Sequence, residues 1–265
     1  MRLRVDHRTV YAYAAPLERG LQLVRLFPKR HEGQEIVRWR VLGARGTELV
    51  AFDDGLGNEA ALAETPPGAR SALISVEGEV VTRDLGGYLN GAFEPLPPGY
   101  YLRRTALTAP DAAITALANA ATGGDGDRAI ALMHAVRDRM EFRVGATDAR
   151  TTAADALAAG AGVCQDHAHV LASACRAAGM PARYVSGYLW TGVEAEPASH
   201  AWAEVFIADA GWFGLDPANR IIVGPAHVRM ASGLDYAQTA PITGVRAGGG
   251  EETLEVTLGV RAGGQ

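Results

Sequence analysis

The sequence predicts an α+β protein in which an N-terminal antiparallel β domain precedes a helical half and a second antiparallel sheet. Two observations support this class. Apolar and polar residues alternate with a period of two in the first 100 residues, and the pattern becomes helical from Pro110 onward. The chain has 265 residues, enough to bury a substantial core. We therefore expect two units, residues 1–100 and residues 101–265.

Three segments of the first unit, residues 2–13, 36–41 and 73–82, alternate in this way. Each is expected to be a strand with one buried and one solvated face. The residues on the apolar faces are Leu3, Val5, Tyr11, Tyr13, Val37, Trp39, Val41, Ile74, Val76 and Val80. Residues 95–100 are expected to link this unit to the next.

The second unit is expected to begin with four helices. Their predicted ranges are residues 112–121, 128–140, 153–159 and 164–178. Asp111 and Asp127 would cap the first two helices, because a carboxylate accepts hydrogen bonds from unpaired N–H groups there. Gly179, followed by Pro181, would end the fourth helix.

Strands are predicted after the last of these helices, over residues 183–190, 201–207 and 212–215. Near the end of the chain, Leu254, Val256, Leu258 and Val260 alternate with polar residues. This final strand could pair with either half of the protein.

Composition argues against several classes of partner. A net charge of −5 with 21% charged residues is ordinary for a soluble protein, so no nucleic-acid or membrane partner is expected. The first seven residues lead directly into an alternating strand and contain no apolar signal core. No uncharged run approaches the roughly 18 residues that cross a bilayer.

Both cysteines, Cys164 and Cys175, are predicted to be free thiols. They are eleven residues apart on one predicted helix, about 16 Å along its axis, whereas a disulfide needs Cα atoms within about 7 Å. Free thiols fit a reducing compartment, so we expect a cytoplasmic protein. Cys175 lies among alanines and is expected to be a small buried residue.

Cys164 is the candidate nucleophile. It follows a glycine-rich bend and begins a helix, whose positive N-terminus favours a thiolate. His200 opens a later strand and Asp216 closes the next one, so the two side chains are expected at the same end of a hairpin. In this reading Cys164 attacks a carbonyl, His200 transfers the proton, and Asp216 orients the imidazole. The backbone N–H of Cys164 would be one donor to the oxyanion.

Other residues near this site have simpler interpretations. His167 and His169 are two residues apart on a helix and point about 200° apart, so they cannot bind one ion together. We expect His167 near the active cleft, and neither a metal nor another cofactor. Arg183 is expected to pack on a strand with its guanidinium reaching toward solvent. Trp202 should lie on the same strand face as His200, either shielding the site or filling the core.

Four stretches of the chain resemble the transglutaminase-like superfamily, which shares a papain-like core. They are GVCQDHA (residues 162–168), RAAGMPARYVSGY (176–188), HAWAEV (200–205) and GWFGLDP (211–217). The first half is similar to the β domain that precedes this core in bacterial members. The resemblance implies a papain/transglutaminase-like core with a Cys164–His200–Asp216 triad that acts on a peptide or protein substrate.

Three classes of function follow. The first is a cysteine-peptidase-like hydrolase that cleaves peptide, isopeptide or amide bonds through a thioester. The second is a transglutaminase that joins a glutamine carboxamide to an amine, and the third is a non-catalytic scaffold. We favour hydrolysis because Gln165 stands where animal tissue transglutaminases have Trp, and no calcium-loop pattern occurs. The sequence does not predict an oligomeric state.

Overall fold

The computed structural model describes residues 1–193 and 199–263. The strands are β1 Arg2–Tyr13, β2 Leu17–Val24, β3 Gln34–Leu42, β4 Phe52–Asp53, β5 Glu59–Thr65, β6 Ser71–Thr82, β7 Tyr88–Leu89, β8 Glu141–Phe142, β9 Ala161–Gly162, β10 Ala182–Leu189, β11 Ser199–Ile207, β12 Gly211–Asp216, β13 Ile221–Ile222, β14 His227–Gly233, β15 Ile242–Gly248 and β16 Glu252–Ala262. The α-helices are α1 Ala112–Ala120, α2 Asp125–Arg139, α3 Ala153–Ala159, α4 Cys164–Ala177 and α5 Tyr236–Thr239. This arrangement confirms the predicted α+β class.

Two antiparallel sheets of four strands form the N-terminal half, in the orders β16-β1-β6-β3 and β15-β2-β5-β4. The last two strands of the chain therefore complete sheets that the first strands begin. β16 pairs with β1 from Leu3 to Tyr13, and β15 pairs with β2. The sequence left the partner of the final strand open, and the structure assigns it to the first half.

The predicted strands of this half are present, but the predicted burial of Val37 is wrong. A bulge lies between Ile36 and Arg38 in the pairing of β3 with β6, and Val37 is the extra residue. Its side chain is 44% exposed, whereas Val41 further along the strand is buried. A bulge changes which face the following residues occupy, so simple alternation misassigns the residue at the bulge.

A six-stranded sheet carries the second half, with strands in the order β13-β12-β11-β10-β14 and β7 paired to β12. Helices α1, α2 and α3 pack around α4, and α4 packs against β10 and β11. Residues from all four helices and from this sheet share one core, so α4 is buried along most of its length. Among the helices in the described ranges, none is long and apolar enough to cross a membrane.

Two of the three predicted helix ends agree with the structure, Asp111 at the start of α1 and Gly179 just after the end of α4. Asp111 caps α1 by accepting a hydrogen bond of 2.8 Å from the Ile114 N–H. Asp127 does not cap α2, because that helix begins two residues earlier with Gly124 as its N-cap. Asp125 and Asp127 instead lie in the first turn, where negative charge complements the helix dipole.

The predicted linker, residues 95–100, is partly exposed and runs into a short 3-10 helix. A 3-10 helix over Pro98–Leu102 buries Tyr101 completely, with its ring 5.1 Å from that of Trp212. A second core joins the halves directly, because Tyr188, Val228 and Met230 pack with apolar residues of the N-terminal sheets. Residues 95–100 therefore connect two halves that also contact each other directly.

Candidate active site

Cys164 is the first residue of α4 and is partly exposed. The strand β9 and the extended residue Val163 lead into the helix. Residues Asp166 to Arg176 of α4 are buried, so the thiol is accessible because it lies at the start of the helix. Cys175, on the same helix, is fully buried, and burial raises the pKa of its thiol to about 12.

Asp166 fixes the first turn of α4. Its Oδ2 accepts hydrogen bonds from the Val163 N–H at 2.8 Å and from the Thr147 hydroxyl at 2.6 Å. Gly162 is needed beside it, because a Cβ at this position would lie 2.6 Å from Asp166 Oδ2. Glycine at this position therefore allows the backbone to approach the Asp166 carboxylate closely.

His200 and Asp216 form a buried pair at one end of the β11–β12 hairpin. His200 Nε2 lies 2.7 Å from Asp216 Oδ2, and both residues are buried. Burial disfavours the charged ring, but interactions with Asp216 and Cys164 outweigh it and raise the pKa of His200 to about 10. Burial also opposes ionisation of Asp216, yet its hydrogen bonds hold the carboxyl pKa well below its ordinary value.

Two further residues donate to Asp216, and sequence reasoning missed both. The Asn219 side chain donates to Oδ2 at 2.8 Å, while its backbone N–H donates to Oδ1 at 3.2 Å. His227 Nε2 lies 3.2 Å from the same Oδ2. Asn219 follows Asp216 by three residues in a turn, which is a detectable signal. His227 comes from β14, and nothing in the linear sequence connects it to Asp216.

Ligand atoms of His200, Asp216 and His227 lie within 4.8 Å of one another. Two imidazoles and a carboxylate are ligand types that suit Zn²⁺. Both imidazoles, however, already use their Nε2 atoms for hydrogen bonds to Asp216. The cluster therefore also serves as a donor set that orients one carboxylate.

Cys164 and His200 line one cavity of about 240 Å³. Both halves of the protein form its walls. The N-terminal half contributes His7, Arg25 and Leu26. The structure thus brings the sequence-predicted residues Cys164, His200 and Asp216 together, with the first two at the cavity and the third behind the imidazole.

The histidines of α4 are both buried and do not share a site. His167 was expected near the cleft, but its ring bonds to the carbonyl oxygens of Val163 at 2.9 Å and Met140 at 3.2 Å, inside the helical half. His169 Nε2 accepts the Tyr236 N–H at 3.0 Å. Burial lowers the pKa of His169 to about 3, so this ring is a neutral acceptor that supports the cavity wall.

The strand residues Arg183 and Trp202 are also buried. Arg183 was expected to reach solvent, but it is fully buried in ion pairs with Glu94 and Glu204, and its guanidinium lies 3.9 Å from the centre of the Trp212 ring. A buried charge needs such partners, and they come from distant segments. The Trp202 ring stacks on His200 with centroids 6.3 Å apart, on the predicted strand face.

Comparison with known families agrees with this geometry. Residues 112–217 match the model of the "Transglutaminase-like superfamily", and residues 3–81 match that of the "Bacterial transglutaminase-like N-terminal region". The chain belongs to the transglutaminase-like superfamily. The two matched regions correspond to the helical half with its sheet and to the N-terminal β domain.

Individual relatives of this protein differ in sequence identity and in the share of the chain that they cover. An uncharacterized protein from Mycobacterium leprae is 26% identical over 278 residues, covering 97% of each chain. A protein-glutamine gamma-glutamyltransferase from Pseudomonas aeruginosa is 33% identical over 101 residues, 32% of this chain and 14% of that protein. A solved structure of a proposed cysteine protease from Cytophaga hutchinsonii has a TM-score of 0.79 and 21% identity, and covers 98% of this chain and 90% of that one. The last similarity shows a common fold.

Proposed function

We propose that this protein is a thiol-dependent acyl-transfer enzyme that hydrolyses peptide, isopeptide or amide bonds. The observation that carries the proposal is the 2.7 Å contact between His200 and Asp216 beside the cavity that holds Cys164. Nucleophile, proton carrier and orienting carboxylate are the three groups that amide chemistry through a thioester requires.

In the proposed mechanism the Cys164 thiol transfers its proton to His200, and the sulfur attacks the substrate carbonyl. The Asp216 carboxylate accepts the Nε2–H of His200, which leaves Nδ1 to exchange the proton with the thiol. The tetrahedral oxyanion would be stabilised by the backbone N–H of Cys164, which has no intrahelical acceptor at the first position of a helix.

Collapse of this intermediate breaks the C–N bond, and His200 returns the proton to the departing amine. A thioester on Cys164 remains, and water then releases the acid and the free thiol. Before substrate binds, His200 holds the transferred proton at neutral pH, because the pKa of its ring is raised to about 10. A peptide or protein is the proposed substrate, and the cytoplasmic location expected from the free thiols remains a prediction.

Amine transfer is the second candidate function. The local match to a protein-glutamine gamma-glutamyltransferase supports it. Both reactions share the thioester, and the acceptor that reaches it, water or a primary amine, decides between them.

Incubation of the protein with a peptide library, followed by mass spectrometry, tests the proposal. We expect cleavage or deamidation in water, loss of turnover in Cys164→Ala, and a loss of about 10⁴-fold in Asp216→Asn through the wrong imidazole tautomer. Cys175→Ala is the matched control, since it makes the same change on the same helix away from the cavity.

A labelled primary amine in a parallel reaction separates the two candidates. Hydrolysis predicts little incorporation of the label, whereas transfer predicts incorporation that exceeds hydrolysis. Turnover by Cys164→Ala at the rate of the unmodified protein would contradict both.

A further inference from the structure

We propose that Arg25 binds a carboxylate that the acyl substrate carries close to its reacting carbonyl. This inference rests on the proposed function and deepens it, because it names a chemical class of substrate for the cavity beside Cys164. Arg25 would be a specificity residue that the N-terminal β domain supplies to the active site.

Arg25 lies where the two halves of the protein meet. It directly follows β2, and its backbone N–H donates to the Pro241 carbonyl oxygen at 2.8 Å. Its side chain is only 12% exposed and lines the cavity that also contains Cys164 and His200. The guanidinium therefore lies at the wall of the cavity that holds the proposed nucleophile.

The guanidinium has an unused donor. Its Nε donates to Asp54 Oδ2 at 3.2 Å, but Nη1 is buried and has no hydrogen-bond partner among the described residues. Asp54 is already engaged, since it accepts the backbone N–H groups of Leu56 and Asn58 at 2.9 and 3.0 Å. A buried, unpaired donor on a charged group is costly, so such a group commonly has a ligand or water as its partner.

The charges around the cavity favour an anionic ligand. None of the described residues that line it is a carboxylate. Burial lowers the pKa of His7 to about 4, so this ring is neutral at pH 7. Arg25 and the charged ring of His200 are the cationic groups at the cavity wall, and their carboxylate partners Asp54 and Asp216 are not among the lining residues.

Size and shape restrict the ligand further. A cavity of about 240 Å³ lies below the ~300–1,000 Å³ typical of sites for drug-sized ligands, so it fits roughly one amino-acid residue. Leu26 and Met230 give it apolar walls. A guanidinium recognises a planar carboxylate with directed N–H bonds. The expected acyl group is therefore residue-sized and carries a carboxylate, either from an acidic side chain or from a chain terminus.

Alkylation of Cys164 by iodoacetate and by iodoacetamide tests this without a known substrate. The two reagents are similar in size, but only the first carries a carboxylate. Rates at Cys164 and Cys175 are measured separately by peptide mapping. We expect Arg25→Gln to lower the iodoacetate-to-iodoacetamide rate ratio at Cys164 by about tenfold or more. Arg40→Gln, which removes an exposed arginine on β3, should leave the ratio unchanged.

The outcomes separate the two proposals. Slow and equal alkylation of both cysteines would overturn the proposed function and the role of Arg25 with it. A reactive Cys164 with the same ratio in Arg25→Gln would overturn the role of Arg25 alone. If Arg25→Gln does not fold, Arg25→Lys keeps the charge but loses the planar fork. If Arg25→Lys changes neither the iodoacetate-to-iodoacetamide rate ratio at Cys164 nor the preference among peptides, the proposal is also contradicted.

Matched peptides then distinguish the source of the carboxylate. One pair of peptides carries Glu or Gln beside the scissile bond and tests whether Arg25 binds an acidic side chain. A second pair has a free or an amidated C-terminus and tests whether Arg25 binds the terminal carboxylate. We expect one pair to show a preference for the carboxylate of about tenfold or more in kcat/KM, lost in Arg25→Gln mainly through KM. No preference in either pair would contradict the proposal.

Discussion

At the scale of single residues, the pair of His200 and Asp216 links the proposed chemistry to stability. His200 has a folded-state pKa of about 10, above its ordinary value of 6.5. The charged ring therefore stabilises the fold fully below pH 6.5, and this contribution is lost as pH rises toward 10. The pKa of Asp216 is lowered, so its contribution is present at neutral pH and is lost only on strong acidification.

We predict that the stabilising effect of His200 decreases steadily between pH 6.5 and 10. The measurement is the free energy of urea unfolding for the unmodified protein and for His200→Gln across this range. The difference between them should shrink with rising pH. In this range the His200 ring takes up a proton on folding, whereas the glutamine of the variant cannot. His134→Gln, at an exposed histidine of α2, is the control for the loss of a histidine away from the site. A gap that widens with pH would contradict the prediction.

The same scale shows what the sequence could reveal about the site. Cys164, His200 and Asp216 stand at ends of elements whose boundaries local patterns predict. Arg25 carries no such signal, and His227 reaches Asp216 from β14, which two other strands separate from β12 in the sheet. Arg183 was misjudged for the same reason, since Glu94 and Glu204 are distant in sequence. Their contacts depend on tertiary packing, which local periodicity does not encode.

At the scale of elements, the start of α4 depends on a tight contact between Gly162 and Asp166. Any side chain at residue 162 would occupy the space of the carboxylate, with Cβ only 2.6 Å from Oδ2. That carboxylate accepts hydrogen bonds from the Val163 N–H and the Thr147 hydroxyl. Its displacement would break both bonds and destabilise the first turn of the helix. Cys164 would then lose its fixed position relative to His200.

We predict that Gly162→Ala destabilises the protein by about 1–3 kcal/mol, the cost of a lost cap and an unpaired buried carboxylate. Alkylation of Cys164 should also slow, because the thiol is no longer held at the cavity. Urea unfolding and peptide-mapped alkylation measure the two effects. Gly126→Ala, in the first turn of α2 with open space around it, is the control and should be neutral or slightly stabilising. Equal behaviour of the two variants would contradict this role for Gly162.

At the scale of the whole molecule, the two ends of the chain fold together. β16 lies beside β1 along its whole length, and Val260 packs in the core that joins the halves. β15 covers β2, directly before Arg25. Alternation predicted the existence of the last strand but not its partner, because pairing between distant strands leaves no local trace. The change from alternating to helical pattern places a boundary near residue 100. This boundary separates β15 and β16 from β2 and β1, the strands with which they form sheets.

We predict that removal of residues 241–265 prevents folding of the N-terminal half. The truncation deletes β15 and β16, exposes the backbone edges of β1 and β2, and removes the Pro241 carbonyl that binds the Arg25 N–H. Soluble yield, size-exclusion behaviour and thermal unfolding by circular dichroism provide the measurement. A shorter truncation that removes only residues 263–265 leaves both strands intact and should unfold like the full chain. A soluble 1–240 fragment with a cooperative transition at the temperature of the full chain would show that the two final strands are dispensable. Because the cavity wall comes from the same half, the folded fragment would then also have to keep the reagent preference attributed to Arg25.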